Sequence, residues 1–408
     1  MKADHEYLEK WYFNLPQSIT RTLLLTLVLM TALPLLSMNM FLASLENIAA
    51  EFDVGYDVIS VALSAYLLFT ALIQIILGPI ADRFGRRPVL LTSVGFFFAA
   101  SCGAALADSF SSFLIFRALQ GAIATGLALS RAIVSDIVPP KQGASLLGYL
   151  GMAMSLAPII GPSVGGGLAE VAGWRSNFWL LSAFGVGLWL LIWRQLPETG
   201  KKSHTTLKEF RRSYFALICM FDFWAYTLIL SLGIGAFFCF ITGIPIVASR
   251  QFDMNQVEIG LGIGTITCGF LFGSFLSGRF ASNYDLNTMI LLGRFIACFG
   301  LLSCIFAFFL GFISLESLFG GTILVGVGNG LTSPSANIAV VNVVKDLSAS
   351  AAGLSGAVIV MVGAILTALT GIILEAYPNA FALVCIMGSV TFASLIIALK
   401  QAFYKKSE

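Results

Sequence analysis

Charged residues are scarce in this chain of 408 residues. Asp, Glu, Lys and Arg together make up only 11% of the sequence, whereas 58% of the residues are hydrophobic. A soluble domain contains about a quarter charged residues, so the composition excludes an ordinary water-soluble protein. The formal net charge of +2 gives no sign of the basic surface that contacts phosphate backbones, and we expect no nucleic-acid partner.

Metal-ligating and nucleophilic patterns are also missing. The two histidines, His5 and His204, lie in separate polar segments, and the seven cysteines lie in apolar segments without a CxxC pair. This spacing predicts neither a metal site nor a disulfide framework. The sequence has no nucleophile and base arrangement and no phosphate-binding glycine loop. We therefore expect no metal, no cofactor and no enzymatic activity.

Long apolar stretches dominate the chain instead. Each is long enough to cross the roughly 30 Å hydrocarbon core of a bilayer as a helix. Lipid offers no hydrogen-bond partners, so the backbone of such stretches must be helical. The pattern predicts an all-α polytopic membrane protein with twelve transmembrane helices. We place them near residues 20–45, 57–78, 88–107, 110–137, 141–169, 174–196, 215–248, 257–279, 287–311, 314–343, 348–376 and 379–402.

The distribution of Lys and Arg predicts the orientation of the chain. If the N-terminus is cytoplasmic, 18 basic residues fall in cytoplasmic segments and only Arg175 and Arg250 in outer loops. Cytoplasmic loops retain positive charge, so we expect both termini to lie on the cytoplasmic side of the inner membrane. No small-residue cleavage site follows the first apolar stretch, and we expect this helix to be retained.

A polar connector divides the sequence in the middle. Residues 197–212 contain five basic residues and separate a first half, 1–196, from a second half, 213–408. Its charges are either simply solvated or contact anionic lipid heads. Segment 277–285, SGRFASNYD, is a weak copy of segment 78–87, GPIADRFGRR. This repeat indicates two parallel six-helix halves.

The segment GPIADRFGRRPVLL, which begins at Gly78, has the features of a contact between the halves. Gly78 lets two helices approach closely, and Asp82 can face the positive end of a helix dipole. Such an end lies at Ser348, which we interpret as the N-cap of the eleventh helix. Arg86 can pair with Asp136. The alternative is a basic loop that only sets topology.

The fourth predicted helix carries two arginines, Arg117 and Arg131, fourteen residues apart. This spacing is close to four turns, so both lie on one face, about 21 Å apart. An arginine at the bilayer centre costs at least about 2.5 kcal/mol, so two of them indicate a polar interior. We expect Arg117, Gln120 and Arg131 to line a cavity. For Arg131, pairing with Asp136 at the membrane surface is the alternative.

The fifth predicted helix combines prolines and glycines in the sequence APIIGPSVGGG. Pro158 and Pro162 remove backbone donors and bend the helix. Gly161 and Gly165 stand one turn apart and permit close helix packing. We expect a kinked helix whose small-residue face lets the two halves rock.

These segments resemble the Major Facilitator Superfamily. The Gly78 segment is similar to the family signature between helices 2 and 3, and Arg117 matches the helix 4 arginine. The fifth helix resembles the antiporter signature of drug exporters. The string RAIVSD, which begins at Arg131, resembles a second helix 4 element of the bicyclomycin and chloramphenicol resistance group. The resemblance implies the major facilitator fold, with two pseudo-symmetric six-helix bundles, and export of small molecules.

Asn39 departs from that group, which carries an aspartate at the matching position of the first helix. An amide cannot take up and release a proton near neutral pH, so Glu46, Asp136 and Asp222 become the candidate proton sites. Without the carboxylate, the arginines leave the cavity net positive, and a low dielectric amplifies the field. We therefore favour an anionic, zwitterionic or acceptor-rich substrate over a lipophilic cation.

Two later helices carry further candidate cavity residues. Phe237 in the seventh helix can form an apolar wall, although aromatic residues in membrane helices face lipid at least as often. Asn329 and Asn337 belong to a polar stripe in the tenth helix, together with Ser333 and Ser335. The alternative for the stripe is a set of interhelical hydrogen bonds, worth about 0.6 kcal/mol each.

The leading hypothesis is a monomeric secondary transporter that exports small molecules of the multidrug type by alternating access, with proton antiport left open. The alternatives are a dedicated carrier of an anionic metabolite or polycarboxylate siderophore, and a membrane receptor that does not transport. The residues expected to contact the substrate are Asn39, Arg117, Gln120, Arg131, Phe237, Asn329 and Asn337. The residues expected to control the gate are Gly78, Asp82, Arg86, Asp136 and Ser348.

Overall fold

The structure is a computed structural model and describes residues 20–42, 44–54, 56–200, 207–254, 256–312 and 314–407. Every regular element in these ranges is helical. The helices are α1 (Arg21–Leu42), α2 (Leu45–Glu51), α3 (Tyr56–Phe84), α4 (Arg86–Ala105), α5 (Phe110–Leu119), α6 (Ala124–Ile137), α7 (Pro140–Ala172), α8 (Arg175–Gln195), α9 (Leu207–Cys219), α10 (Phe221–Gln251), α11 (Gln256–Phe280), α12 (Leu286–Phe309), α13 (Leu315–Asn342), α14 (Ser348–Ala376) and α15 (Ala380–Ser407).

The twelve predicted membrane crossings are present. A 3-10 turn, Gln120–Ile123, joins α5 to α6 into one crossing. Within the described ranges, ten helical segments are long and apolar enough to cross a membrane. The helices α3 and α13, with 29 and 28 residues, complete the set. The chain is therefore a multi-pass membrane protein, as the hydropathy pattern predicts.

Two short helices differ from the prediction. The helix α2 follows α1, where the sequence predicted only a loop, and α9 occupies part of the predicted polar connector. The sequence of α9, LKEFRRSYFALIC, places charged and apolar residues on opposite faces, a pattern typical of a helix at a membrane surface. The predicted seventh helix, 215–248, is wrong at its start, because α9 ends at Cys219 and α10 begins at Phe221. The boundary at 197–212 stays a prediction, and residues 201–206 lie outside the described ranges.

The helices form two bundles, α1 to α8 and α10 to α15. Matching positions half a chain apart show that the two bundles are structural repeats. Asp53 and Asp253, in the loops that follow α2 and α10, share a left-handed φ of 50°, which aspartate tolerates better than most residues. Ser109 and Ser314 each cap a helix by accepting a hydrogen bond from the backbone N–H three residues later. The repeat seen in the sequence is therefore structural.

The bundles meet mainly along two seams, α3 against α14 and α7 against α11. In the first seam, a Cβ atom added to Gly353 would lie 3.2 Å from the carbonyl carbon of Gln74. In the second, a Cβ atom added to Gly148 would lie 2.8 Å from Cα of Gly278. Backbones approach this closely only where side chains are absent. Glycine thus allows both seams to close.

Among the described residues, the glycine contacts across both seams lie toward one end of the molecule. We call this the Asp82 end, where α3 ends at Phe84 and α14 begins at Ser348. Toward the opposite end of α7, α11 and α14, a Cβ atom added to Gly167, Gly264 or Gly371 would meet nothing within 4 Å. The described glycines of these helices therefore contact the other bundle toward the Asp82 end and have no close neighbour toward the other end.

Candidate functional site

Asp82 joins the two bundles. Its Oδ1 accepts a hydrogen bond from the backbone N–H of Ala349 at 3.1 Å, and its Oδ2 accepts from the N–H and the hydroxyl of Ser350 at 2.7 and 2.5 Å. The first N–H groups of a helix have no partner in their own helix and form the positive end of its dipole. The carboxylate, only 2% exposed, therefore caps α14 from the other bundle.

Arg86 completes this contact. Its Nη1 donates to Oδ1 of Asp82 at 2.7 Å, its Nη2 donates to the Ser348 hydroxyl at 2.7 Å, and its Nε lies 3.4 Å from Oδ2 of Asp136. Gly78 permits the approach, because a Cβ atom there would lie 3.0 Å from Cα of Ser350. The structure thus brings the five predicted gate residues together, in what we call the latch. Their control of a gate stays a prediction.

Ser348 is not the helix cap that the sequence predicted. It is the first residue of α14, and its hydroxyl accepts a hydrogen bond from Arg86. The N-cap residue of α14 is Leu347, whose side chain does not cap the helix. The physical reason is the presence of Asp82, because a carboxylate is a stronger acceptor of the helix N–H groups than a hydroxyl.

Glu198 was not recognised from the sequence, which placed it in the polar connector. Its Oε1 accepts from the backbone N–H of Arg86 at 2.7 Å, and its Oε2 accepts from that of Arg87 at 3.2 Å. The carboxylate therefore caps α4 directly beside the latch. A sequence gives no signal for this pairing, because the partners lie more than 100 residues apart.

The α7–α11 seam is chemically simpler. The Ser145 hydroxyl donates to the Gly278 carbonyl, and Lys141 pairs with Asp285 at 2.8 Å. The pair is exposed, 48% for Lys141 and 77% for Asp285, and exposed pairs contribute about 1 kcal/mol or less. This seam thus has no equivalent of the buried Asp82 and Arg86 pair among the described residues.

Arg117 is fully buried inside the first bundle. Its Nη1 donates to the Gln120 side chain at 2.7 Å and to the Ser37 hydroxyl at 3.1 Å. Its guanidinium carbon lies 4.4 and 4.5 Å from the ring centres of Phe41 and Tyr66. The arginine is thus stabilised by neutral acceptors and aromatic faces. Contact between Arg117 and a substrate stays a prediction.

Arg294 is a buried arginine inside the second bundle, on α12, and the sequence did not single it out. It is 1% exposed, and its Nη2 donates to Oδ1 of Asn329 at 2.6 Å and its Nε to the Thr332 hydroxyl at 3.0 Å. Asn329 in turn donates to the Gly233 carbonyl at 2.9 Å. For Asn329 the structure therefore shows the interhelical alternative.

Arg131 differs from both in being only half-buried. Its Nη1 is buried without a hydrogen-bond partner, and within the described ranges we find no ion pair for its guanidinium. The alternative in which Arg131 pairs with Asp136 is not what the structure shows, because Asp136 lies beside Arg86. The Oδ1 atom of Asn337 on α13 is likewise buried and unpartnered.

The other predicted site residues lie apart from one another. Asn39 is half-buried and donates to the Leu35 carbonyl at 2.8 Å, while Phe237 packs against the core of the second bundle. Asp222 accepts a hydrogen bond from Gln401 at 2.8 Å near the start of α10. The side chain of Glu46 lies outside the described part of the structure. No proton site is identified by these positions.

The small-residue face of α7 lies inside the first bundle. A Cβ atom added to Gly161 would lie 2.8 Å from Cβ of Asn39, and one added to Gly165 would lie 2.9 Å from Cα of Met40. Pro158 is exposed and Pro162 is half-buried within the continuous helix α7. The expectation that these glycines form the face on which the halves rock is wrong, because they pack α7 against α1.

At the end of the first bundle opposite Asp82, the Glu51 carboxylate connects α2 to the start of α8. Glu51 accepts hydrogen bonds from Arg175 and, at 2.5 Å, from Nε1 of Trp174. These bonds and the charge of Arg175 hold the pKa of Glu51 below its usual value. A carboxylate with a lowered pKa stabilises the folded state above its unfolded pKa, and this contribution is lost as the pH falls through the folded pKa.

We therefore expect the melting temperature of the purified protein to fall with acidification below about pH 4.5, the ordinary value for glutamate. The Glu51→Gln variant is expected to melt at a lower temperature near pH 7 and to show a flatter pH profile. Glu170→Gln, at an exposed position on the same side, is the control. Equal pH profiles for wild type and Glu51→Gln would contradict this role.

Comparison with known proteins identifies relatives. Residues 27–368 match the Major Facilitator Superfamily. The chain is 28% identical over 260 residues to the chloramphenicol resistance protein of Pseudomonas aeruginosa, covering 63% of this chain and 62% of that one. It is 27% identical over 280 residues to a bicyclomycin resistance protein homolog of Haemophilus influenzae, covering 67% and 70%. The multidrug transporter MdfA of Escherichia coli O6:H1 is 26% identical over 258 residues, covering 62% and 63%.

The match thus covers less than two thirds of the first and third of these relatives. Among solved structures, a bacterial homologue of the iron transporter ferroportin in an outward-facing state superposes with a TM-score of 0.75, at 15% identity and 94% and 100% coverage. FucP in the outward conformation gives 0.73, at 16% identity and 92% and 97% coverage. At these identities the likeness shows the fold alone.

Proposed function

The chain belongs to the Major Facilitator Superfamily, whose members are transporters and not enzymes, and on this premise we propose a secondary transporter that moves small molecules by alternating access. The leading activity is export of the multidrug type, which the drug-resistance relatives support. The Asp82 end is the cytoplasmic side of an inner membrane, with both termini inside, as the Lys and Arg distribution indicates. The unit is a monomer.

One observation carries the alternating-access proposal. The two seams are closed by glycine contacts at the Asp82 end, whereas glycines toward the opposite end of the same helices meet open space. Two bundles that touch at one end and diverge toward the other would form an opening there. Separating the latch and closing the opposite end would turn the opening to the cytoplasm.

The test is transport in proteoliposomes with a defined orientation. We expect uptake of labelled chloramphenicol into vesicles to exceed that into protein-free vesicles, and a proton gradient to accelerate it if coupling to protons exists. The Asp82→Asn variant should abolish the difference. Equal chloramphenicol uptake with wild-type protein and with protein-free vesicles, under both conditions, would contradict the multidrug assignment.

A dedicated anion carrier is the second candidate, favoured by the charges inside the bundles. Arg117 and Arg294 are buried among neutral partners, and no carboxylate contacts either guanidinium within the described ranges. An interior with uncompensated positive charge attracts anions. Counterflow of labelled citrate in the same vesicles distinguishes this candidate. An anion carrier is expected to exchange the tricarboxylate, whereas a multidrug exporter is not.

Position 39 provides a test of substrate charge. We expect Asn39→Asp to raise the transport rate of the cation ethidium about tenfold relative to that of citrate, because a carboxylate near the pathway is worth about 1.4 kcal/mol in this discrimination. Asn342→Asp, at the end of α13, is the control for an added charge. An unchanged ratio in Asn39→Asp would mean that position 39 lies away from the pathway.

A further inference from the structure

The first bundle has an apolar groove between α1 and α8. Leu29, Leu33 and Leu36 line its wall on α1, and its wall on α8 runs from Ala183 to Leu191. The groove has a volume of about 330 Å³. The helix α8 packs against α1, α4 and α7, which all belong to the first bundle. The groove is therefore separate from both seams, and it opens toward the lipid.

A glycine provides much of the space in this groove. A Cβ atom added to Gly187 would meet nothing within 4 Å, whereas Leu33 and Leu188 beneath it are buried. An empty apolar groove loses the dispersion contacts that its walls could make. In the hydrocarbon core of a bilayer, the groups that can restore these contacts are acyl chains. The shape and the apolar lining of the groove therefore fit one lipid chain.

Both walls of the groove continue into an arginine. On α1, Arg21, Leu25 and Leu29 follow one another at intervals of four residues, and on α8, Arg194 follows Leu191 by three residues. Residues three or four apart lie on the same face of a helix. Both arginine side chains are exposed. Two positive charges thus stand on the two helix faces that form the groove, at the same mouth.

This mouth lies at the Asp82 end, at the level of lipid headgroups. Arg87, which follows the latch residue Arg86, donates a hydrogen bond to the Trp193 carbonyl near the end of α8. The Trp193 ring is exposed to 51% and stacks on Trp189, and tryptophan is enriched at membrane interfaces. From Ala183 to Arg194, α8 rises by about 16 Å. This length is close to one leaflet of hydrocarbon, about 15 Å.

We propose that the groove between α1 and α8 binds an anionic phospholipid of the leaflet at the Asp82 end. One acyl chain fills the groove, and the headgroup lies at the mouth that carries Arg21 and Arg194. A negative phosphate complements guanidinium groups, whereas a zwitterionic headgroup brings a positive group to the same place. The bound lipid contacts both α1 and α8. The inference goes beyond transport, because it names the lipid that the protein selects from its membrane.

Native mass spectrometry of the purified protein tests the headgroup site. Phosphatidylglycerol and phosphatidylcholine with identical acyl chains are added in equal amounts, and the bound lipids are counted. One arginine near an anionic headgroup favours binding about fivefold, which corresponds to about 1 kcal/mol. We expect wild type to prefer phosphatidylglycerol about 25-fold, Arg194→Gln about fivefold, and the double variant Arg21→Gln/Arg194→Gln to have no preference.

Two controls separate this site from a general effect of charge. Arg21→Lys/Arg194→Lys keeps both positive charges and is expected to retain most of the preference for phosphatidylglycerol. Arg279→Gln removes an exposed arginine near the end of α11, which belongs to the other bundle, and is expected to bind both lipids like wild type.

A substitution inside the groove tests the acyl-chain site independently of charge. Gly187→Leu places a side chain in the space of the lipid chain, and we expect the affinity for phosphatidylglycerol to fall about tenfold, because part of the chain loses its apolar contacts. Gly320→Leu is the matched control. Gly320 is an exposed glycine on α13 whose added Cβ atom likewise meets nothing within 4 Å, and this variant should bind lipid like wild type.

Three results would overturn the proposal. The first is equal binding of the two lipids by wild type. The second is an unchanged preference in Arg21→Gln/Arg194→Gln, which would place the anionic lipid elsewhere. The third is an affinity in Gly187→Leu that equals that of wild type or of Gly320→Leu. The groove is separate from both seams, so each of these results leaves the alternating-access proposal intact.

Discussion

Asp82→Asn is expected to lower the transport rate about 100-fold and to leave the Asp82 end predominantly open. Asp82 accepts hydrogen bonds from Ala349, Ser350 and Arg86 while almost fully buried. The substitution removes the negative charge and leaves the Arg86 guanidinium with less compensation. Breaking a buried pair of this kind costs about 3 kcal/mol, which corresponds to about 100-fold in the equilibrium between closed and open forms.

The control for this variant is Asp285→Asn. It breaks the exposed pair with Lys141 on the other seam and should lower the rate about fivefold at most, since exposed pairs contribute about 1 kcal/mol or less. The rate of substrate uptake in proteoliposomes is the measurement. Comparable losses in Asp82→Asn and Asp285→Asn would show that the latch has no special role.

Gly353→Ala is expected to lower the transport rate about 30-fold. The added methyl group would lie on the Gln74 backbone of the other bundle, 3.2 Å from its carbonyl carbon. Backbone atoms cannot rotate away as a side chain can, so α3 and α14 must separate. Overpacking of a close contact costs about 2 kcal/mol, and this cost falls on the closed form alone, because the contact exists only between the bundles.

Gly371→Ala on the same helix is the matched control. A Cβ atom at Gly371 meets nothing within 4 Å, and alanine favours helices over glycine by about 1 kcal/mol, so transport and stability should be preserved. Reduced transport in both variants would point to a general effect on α14. Normal transport in Gly353→Ala would mean that the seam does not need to close.

The latch was accessible to sequence reasoning because its chemistry is concentrated in one short segment. Gly78, Asp82 and Arg86 lie within one stretch of nine residues. The glycine suggested a close helix contact, the aspartate a helix N-terminus and the arginine a carboxylate partner. Ser348 was correctly placed at the start of a helix, but its predicted role as the N-cap was wrong. A sequence shows where a helix begins, whereas the group that caps it can come from another bundle.

The contacts inside the second bundle could not be predicted from the sequence in the same way. Arg294 is a single arginine in an apolar helix, and its contacts with Asn329 and Thr332 depend on how α12 and α13 face each other. Glu198 was missed for the same reason. The sequence did identify Arg131, but that its Nη1 has no hydrogen-bond partner among the described residues depends on the packing of all its neighbours, which only the three-dimensional structure shows.

The two seams differ in chemistry although they occupy matching positions in the two repeats. One contains the buried Asp82 and Arg86 pair, and the other contains glycine contacts, one hydroxyl and an exposed pair. For the proposed alternating-access cycle, we therefore expect separation of the bundles to begin along α7 and α11, where fewer strong contacts must break, with α3 and α14 acting as the pivot. In that cycle, the first solvent that enters from the Asp82 end is expected to arrive beside α7, so that access to the pathway is one-sided at the start.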